Sequence, residues 1–273
     1  MSFQIDGGTG AMNPTERLAR LLGGESEQEG KGLRSEFGLG SAARYSTNQV
    51  LFAPLHYESG YSYPLIVWLH GPGWNDEQQL LRVMPVISVR NYVGAAVRGF
   101  PVEGERGDGL RYDWPQTPGH IQEAGRRVFE VIEAASEKYN IAPDRVFIAG
   151  FDSGGTMAFR MAVDHPWRFA GVISLCGAFP RSYMPLRQLT AIRRLPALLA
   201  VGRDAERYTP AQACDDLRLF HTAGISVALR QYPCGHELAP QMLRDMDRWI
   251  IEQITGQNGS MAETDSSWPC SSE

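Results

Sequence analysis

The sequence predicts an α/β protein built on one doubly wound, mostly parallel sheet, and three observations carry that reading. Short, continuously apolar runs recur along the chain, as strands covered on both faces require. Between them lie segments whose apolar residues repeat at helical spacing. The two kinds alternate strictly, which is the order of a parallel sheet whose strands are joined by crossover helices. The 273 residues fit one large domain, since sheets of this kind commonly run to about 250 residues as a unit.

Taken in order, residues 1–46 are rich in Gly, Ser and Glu and are expected to form a flexible polar arm, with one short amphipathic candidate from Pro14 to Leu22 opening after Asn13. The domain is expected over residues 47–255. Its candidate strands run from Gln49 to Leu55, Leu65 to Leu69, Tyr92 to Val97, Arg145 to Ala149, Gly171 to Leu175, Ala197 to Val201 and Ser226 to Gln231. Ile121, Ala124, Val128, Val131, Ile132 and Ala135 mark one apolar face of a helix from about Gly119 to Tyr139. Further helices are expected from Glu77 to Ile87, Gly154 to Asp164, Pro210 to Ala223 and Pro240 to Ile254. Residues 256–273 are polar and aperiodic and read as a disordered tail.

Composition limits the function classes. The chain is 43% hydrophobic and 21% charged, enough apolar material for a core on both faces of a sheet. Its net charge is −5 and its basic residues are scattered, so nucleic acid is not expected as a partner. No apolar run approaches the roughly 20 residues that span a bilayer. The first residues lack the apolar stretch and cleavage site of a secretory signal, which leaves a cytoplasmic protein as the expectation. Cys176, Cys214, Cys234 and Cys270 form no CxxC pair and show no ligand-like spacing, so neither a disulfide framework nor a metal site is expected.

Ligands of open α/β sheets sit beyond the carboxyl ends of the strands, so the loops there carry the chemistry. The run from Arg145 to Gly155 is a strand followed at once by a glycine-flanked turn and a helical pattern. That is the layout of a nucleophile elbow, G-x-Nuc-x-G. With Gly150 and Gly154 as flanks, the centre is Asp152; a register centred on Ser153 keeps Gly155 but puts Phe151 in place of the other glycine. A second loop, His70-Gly71-Pro72-Gly73-Trp74, follows an apolar strand and could supply one backbone N–H of an oxyanion hole, the other coming from Ser153. His70 reads as the structural letter of this turn. The loops at Gly202-Arg203-Asp204 and Cys234-Gly235-His236 complete the order nucleophile, acid, histidine, with His236 as base, Asp204 as its orienter and Glu206 as a rival for that place. Trp74 and Phe151 are expected to line the substrate pocket. The long Gly-rich stretch from Arg98 to Trp114 should overhang the same sheet edge.

Together the HGxG turn, IAPDRVFIAGFDSGG, GRDAERYTP and YPCGHE resemble the phospholipase/carboxylesterase family, the acyl-protein-thioesterase-like branch of the α/β-hydrolases, over roughly Pro64 to Ile254. The resemblance implies an α/β-hydrolase sheet without a large cap domain and a Ser-His-Asp esterase acting on a small-molecule ester with no cofactor. Two residues depart from that pattern. Asp152 stands where the family has serine, and Pro72, which has no N–H, stands where it has the first oxyanion donor.

A carboxylate in the elbow changes the chemistry. Attack on an ester carbonyl gives an intermediate that expels the carboxylate, whose conjugate acid has a pKa near 4, far sooner than an alkoxide. Relatives of the fold that carry aspartate in the elbow, the haloalkane dehalogenases and epoxide hydrolases, attack an sp³ carbon instead. They insert a helical cap after the strand that follows the elbow, whereas here only Gly177 to Leu195 separate the two strands. Three readings therefore stand: a hydrolase with an Asp152, His236, Asp204 constellation, a catalytically inactive relative that binds a ligand or partner in the cleft, and Ser153 acting from the shifted register.

Overall fold

The computed structural model describes residues 48–72, 77–103, 110–183 and 188–262. The expected arm at 1–46, the oxyanion candidate Gly73, the pocket candidate Trp74 and all but the first residues of the expected tail lie outside the described residues. The strands in chain order are β1 (Gln49–Phe52), β2 (Tyr63–Leu69), β3 (Val93–Val97), β4 (Phe100–Glu103), β5 (Leu110–Asp113), β6 (Ile141–Phe151), β7 (Gly171–Leu175), β8 (Ala197–Gly202) and β9 (Val227–Tyr232). The helices are α1 (Gln79–Ile87), α2 (Pro118–Lys138), α3 (Ser153–Asp164), α4 (Leu189–Ile192), α5 (Pro210–Ala223) and α6 (Pro240–Ala262).

Seven strands form one sheet in the order β1-β3-β2-β6-β7-β8-β9. Only β1 runs antiparallel, against β3; every other neighbour pair is parallel. Strands β2, β3, β7 and β8 are buried along their whole length, which is why they read as unbroken apolar runs. The pleat then sorts their side chains to two cores. Leu65, Val67 and Leu69 of β2 join Val128 and Val131 of α2, Met157 and Met161 of α3 and Phe220 of α5 on one face. Ile66 and Trp68 join Leu80 and Met84 of α1 and Met246, Trp249 and Ile250 of α6 on the other. Strand β9 is an edge strand and carries Arg230 and Gln231 in a partly exposed run.

Among the described residues no large cap interrupts this plan: β7 and β8 are joined by residues 176–196, whose described helix is the single turn α4. None of the described helices is long and apolar enough to cross a membrane. Two expectations change. The stretch Arg98 to Trp114 contains an antiparallel hairpin, β4 against β5, with Phe100 opposite Asp113. Its strands carry no clean apolar alternation, so the sequence reads there as loop. Helix α6 continues past Ile254 to Ala262, carrying Gly256 within it, where a side chain would meet nothing. The boundary drawn at residue 256 from composition therefore falls inside the helix.

Candidate active site

The site is built at the carboxyl ends of β2, β6, β7, β8 and β9. Strand β6 ends at Phe151, and α3 starts at Ser153, so Asp152 alone makes the turn between them. Its backbone sits at φ 51° and ψ −120°, outside the regions comfortable for a side-chain-bearing residue. Such a conformation costs about 1–3 kcal/mol and persists only where surrounding structure imposes it. Asp152 N–H donates to the Leu175 carbonyl at 2.9 Å and its own carbonyl accepts from Thr156 N–H at 3.0 Å, tying the turn to β7 and to α3.

The two flanking glycines explain the register. A Cβ at Gly150 would overlap the Gly154 carbonyl, and one at Gly154 would overlap the carbonyl oxygens of Leu69 and His70. Strand and helix pack too closely there for any side chain. The pair lies two residues either side of Asp152, which gives Asp152 and not Ser153 the elbow geometry. Ser153 is the first residue of α3, and its buried Oγ has no hydrogen-bond partner among the described residues. Its backbone N–H, at the first helical position, has no acceptor within the helix.

The HG turn is held as a structural block. Gly99 N–H donates to His70 Nε2 at 2.9 Å, so that nitrogen carries no proton and His70 Nδ1–H donates to the Gly71 carbonyl at 2.7 Å. Trp114 Nε1–H donates to the His70 carbonyl at 2.9 Å. Arg127 donates to the carbonyls of Arg98 and Gly99, both at 3.1 Å, and stacks over Phe100. The base of the β4–β5 hairpin is thus fastened to the turn after β2, and the imidazole of His70 is spent on that fastening. Phe151 is buried against Gly71 and faces the His236 ring at 5.8 Å, forming a wall between the two loops more than an open pocket surface.

His236 reaches the elbow. Its Nε2 lies 2.7 Å from Asp152 Oδ2. The same carboxylate oxygen is met by Arg207 Nη1 at 2.9 Å, and the Asp152 side chain is 14% exposed against 63% for Arg207. Sequence reasoning missed Arg207. The signal available was its place three residues after Asp204, on a loop already marked as facing the cleft.

Asp204 does not join them. Its carboxylate is 60% exposed and chelates Arg203, with Oδ1 on Nε and Oδ2 on Nη2, each at 3.1 Å. The Arg203 guanidinium holds the Asp204 carboxyl below the usual carboxylate range. The cause is the local backbone: Arg203 N–H donates to the Tyr232 carbonyl at 2.7 Å and Asp204 N–H to the Cys234 carbonyl at 3.0 Å, while Ala205 and Tyr208 turn into the core. Residue 204 is left pointing at solvent. Glu206 is exposed as well. Among the described residues nothing hydrogen-bonds to the buried Nδ1 of His236.

Two further buried groups lie on or against the loops after β7 and β8. Cys176, at the end of β7 with φ 57°, is buried, and burial pushes its thiol up to about 12, which removes it as a nucleophile near neutral pH. Asp216 of α5 is buried and accepts from Phe179 N–H and Tyr208 O–H, both at 2.9 Å, and from Arg181. It ties the loop after β7 to the loop after β8. No three His, Cys, Asp or Glu side chains among the described residues are grouped to hold a metal.

The sequence model of the family described as Phospholipase/Carboxylesterase matches residues 109–254, more than half of the chain. The chain belongs to the phospholipase/carboxylesterase family. The Nocardia uniformis subsp. tsuyamanensis protein NocK, which bears the name of an esterase, is 30% identical over 149 residues; the match covers 54% of this chain and only 41% of NocK. A protein of Oryza sativa subsp. japonica named "Probable carboxylesterase" is 22% identical over 214 residues, covering 72% of this chain and 91% of that one. Among solved structures, the Bacillus cereus carboxylesterase superposes with a TM-score of 0.60 at 17% identity, covering 76% of this chain and 95% of that chain. At that identity the likeness concerns the fold.

Proposed function

We propose that the chain is a cofactor-independent hydrolase of small molecules in which Asp152 is the nucleophile and the electrophile is an sp³ carbon bearing a leaving group. The observation that carries this is Asp152 itself, held on the strained elbow with one oxygen on His236 and the other, Oδ1, with no hydrogen bond to a described residue. Backbone strain at side-chain-bearing residues clusters at active sites. In the first step a carboxylate oxygen forms a C–O bond to the substrate carbon while the leaving group departs with the bonding pair. In the second, His236 takes a proton from water, the hydroxide adds to Cγ of the ester, and an alcohol and the free carboxylate result. Carbonyl esters are poor substrates for this sequence because the carboxylate is the better leaving group.

The geometry supports the first step better than the second. With Asp204 turned to solvent, no carboxylate among the described residues reaches Nδ1 of His236 to orient the ring from behind, and triads that lose this member slow by several orders of magnitude. Covalent ester should therefore outlive the first step. A second reading, a catalytically inactive relative that binds a ligand there, is favoured by the same His236 Nδ1, which has no partner among the described residues. Intact mass spectrometry after exposure to panels of epoxides, alkyl halides and carboxylic esters tests both. A slowly released adduct mapping to Asp152 is expected with the first two panels; wild-type protein that stays unmodified and turns over nothing supports the inactive reading.

A further inference from the structure

Among the described residues, Arg207 is placed unlike the other arginines of the neighbouring loops. Arg203 is chelated by Asp204, Arg181 is bound to the buried Asp216, and Arg160 lies buried with Gln116 and Ser182 as partners. Arg207 is 63% exposed, and among the described residues its one charged contact is Asp152 Oδ2.

Its backbone, in contrast, is pinned on both sides. Ala205 is buried and donates its N–H to the Gly202 carbonyl, Tyr208 is buried with its hydroxyl on Asp216, and Thr209 caps α5 through a reciprocal pair with Gln212. The side chain is thus the movable part of a fixed loop, a long flexible arm rooted at the cleft with its guanidinium resting on the residue that would react.

We propose that Arg207 is a specificity-determining residue that recognises an oxyanion group, carboxylate or phosphate monoester, on the ligand. Resting on Asp152, the guanidinium occupies one oxygen of the carboxylate. A ligand bearing its own oxyanion offers the guanidinium an equivalent partner nearer solvent, in the planar bidentate geometry that guanidinium favours. The exchange releases Asp152 Oδ2 to its bond with His236 as the ligand docks. A neutral ligand of the same size has no such exchange to offer and must displace or coexist with the resting pair.

This rests on the proposed use of the cleft, and its test can be separated from that of Asp152 reactivity. Binding of three unreactive probes, butyrate, methyl phosphate and butyramide, is followed by the NMR signals of the His236 ring in the full chain. Either anion should bind about two- to five-fold more tightly than butyramide, in line with a partly exposed ion pair. A stronger response to butyrate assigns a carboxylate ligand, and a stronger response to methyl phosphate a phosphate ester. Arg207→Gln should erase the preference and Arg207→Lys restore part of it, a discrimination that mere loop damage would not produce. Equal binding of anions and butyramide by the wild type, or a preference that survives in Arg207→Gln, overturns the proposal. In parallel, bromoacetate and bromoacetamide report alkylation at Asp152 by peptide mapping. Failure of both reagents to modify Asp152 sinks the nucleophile reading while leaving the probe-binding result to stand or fall by itself.

Discussion

The turn after β6 and the loop after β8 meet where Arg207 reaches Asp152, and they differ in what fixes them. The elbow is fixed by backbone packing: the flanking glycines leave no room for a Cβ, and hydrogen bonds to Leu175 and Thr156 close the turn around Asp152. A change of the central residue from serine to aspartate leaves all of those contacts untouched. The loop after β8 is equally well tied at its backbone, through Tyr232, Cys234 and the buried Tyr208. Its carboxylate, by contrast, is placed by a side-chain contact alone, that of Asp204 with Arg203. Geometry held by the main chain survives exchange of a side chain, whereas a contact between side chains is lost by a turn of one torsion angle.

The contrast can be broken most forcefully at Gly154. Gly154→Ala pushes a methyl group against the carbonyls of Leu69 and His70, and a loss of about 3 kcal/mol is expected in urea unfolding. A near-neutral result would mean that the elbow is not clamped as described. Next in size is Asp216→Ala, which leaves the Phe179 N–H and the Tyr208 hydroxyl without their acceptor in the core. A loss of about 2–3 kcal/mol is expected, together with loss of the anion preference carried by Arg207, read by the same probe titrations.

Smaller and opposite in sign, Asp152→Gly should relieve the positive φ and raise stability by about 1 kcal/mol while ending covalent labelling. An unfolding midpoint that drops would show that the Arg207 and His236 contacts outweigh the strain. The smallest effect belongs to Asp204→Ala. Since its partner is the exposed Arg203, neither the melting temperature nor the rate of Asp152 labelling should move. A fall in turnover for this variant would place the carboxylate on His236 during the reaction.

These differences also mark how far the sequence could be read. Unbroken apolar runs at β2, β7 and β8 and the amphipathic face of α2 were legible because burial on both faces, or on one, writes a period into the chain. The elbow was legible because the two glycines are a steric requirement. The β4–β5 hairpin was not, since its order comes from anchoring at His70 and Arg127 and from no periodicity of its own. Nor could the sequence show where the acids point. Asp204 occupies the expected loop, yet the hydrogen bonds of its neighbours decide its direction, and Asp216, a buried tie between two loops, sits in a stretch of α5 that reads as an ordinary polar face. Arg207 was hidden for the same reason: its contact spans 55 residues, and a long side chain's reach leaves no mark on local pattern.

The central claim is that the residue on the clamped elbow is the one that reacts. Intact mass spectrometry with peptide mapping, after incubation with an epoxide or alkyl-halide panel, tests it most directly. One alkyl adduct per chain on Asp152, absent in Asp152→Asn and slow to hydrolyse, is the expected result. A panel that leaves Asp152 unmodified, or an adduct that maps to Ser153, would contradict it.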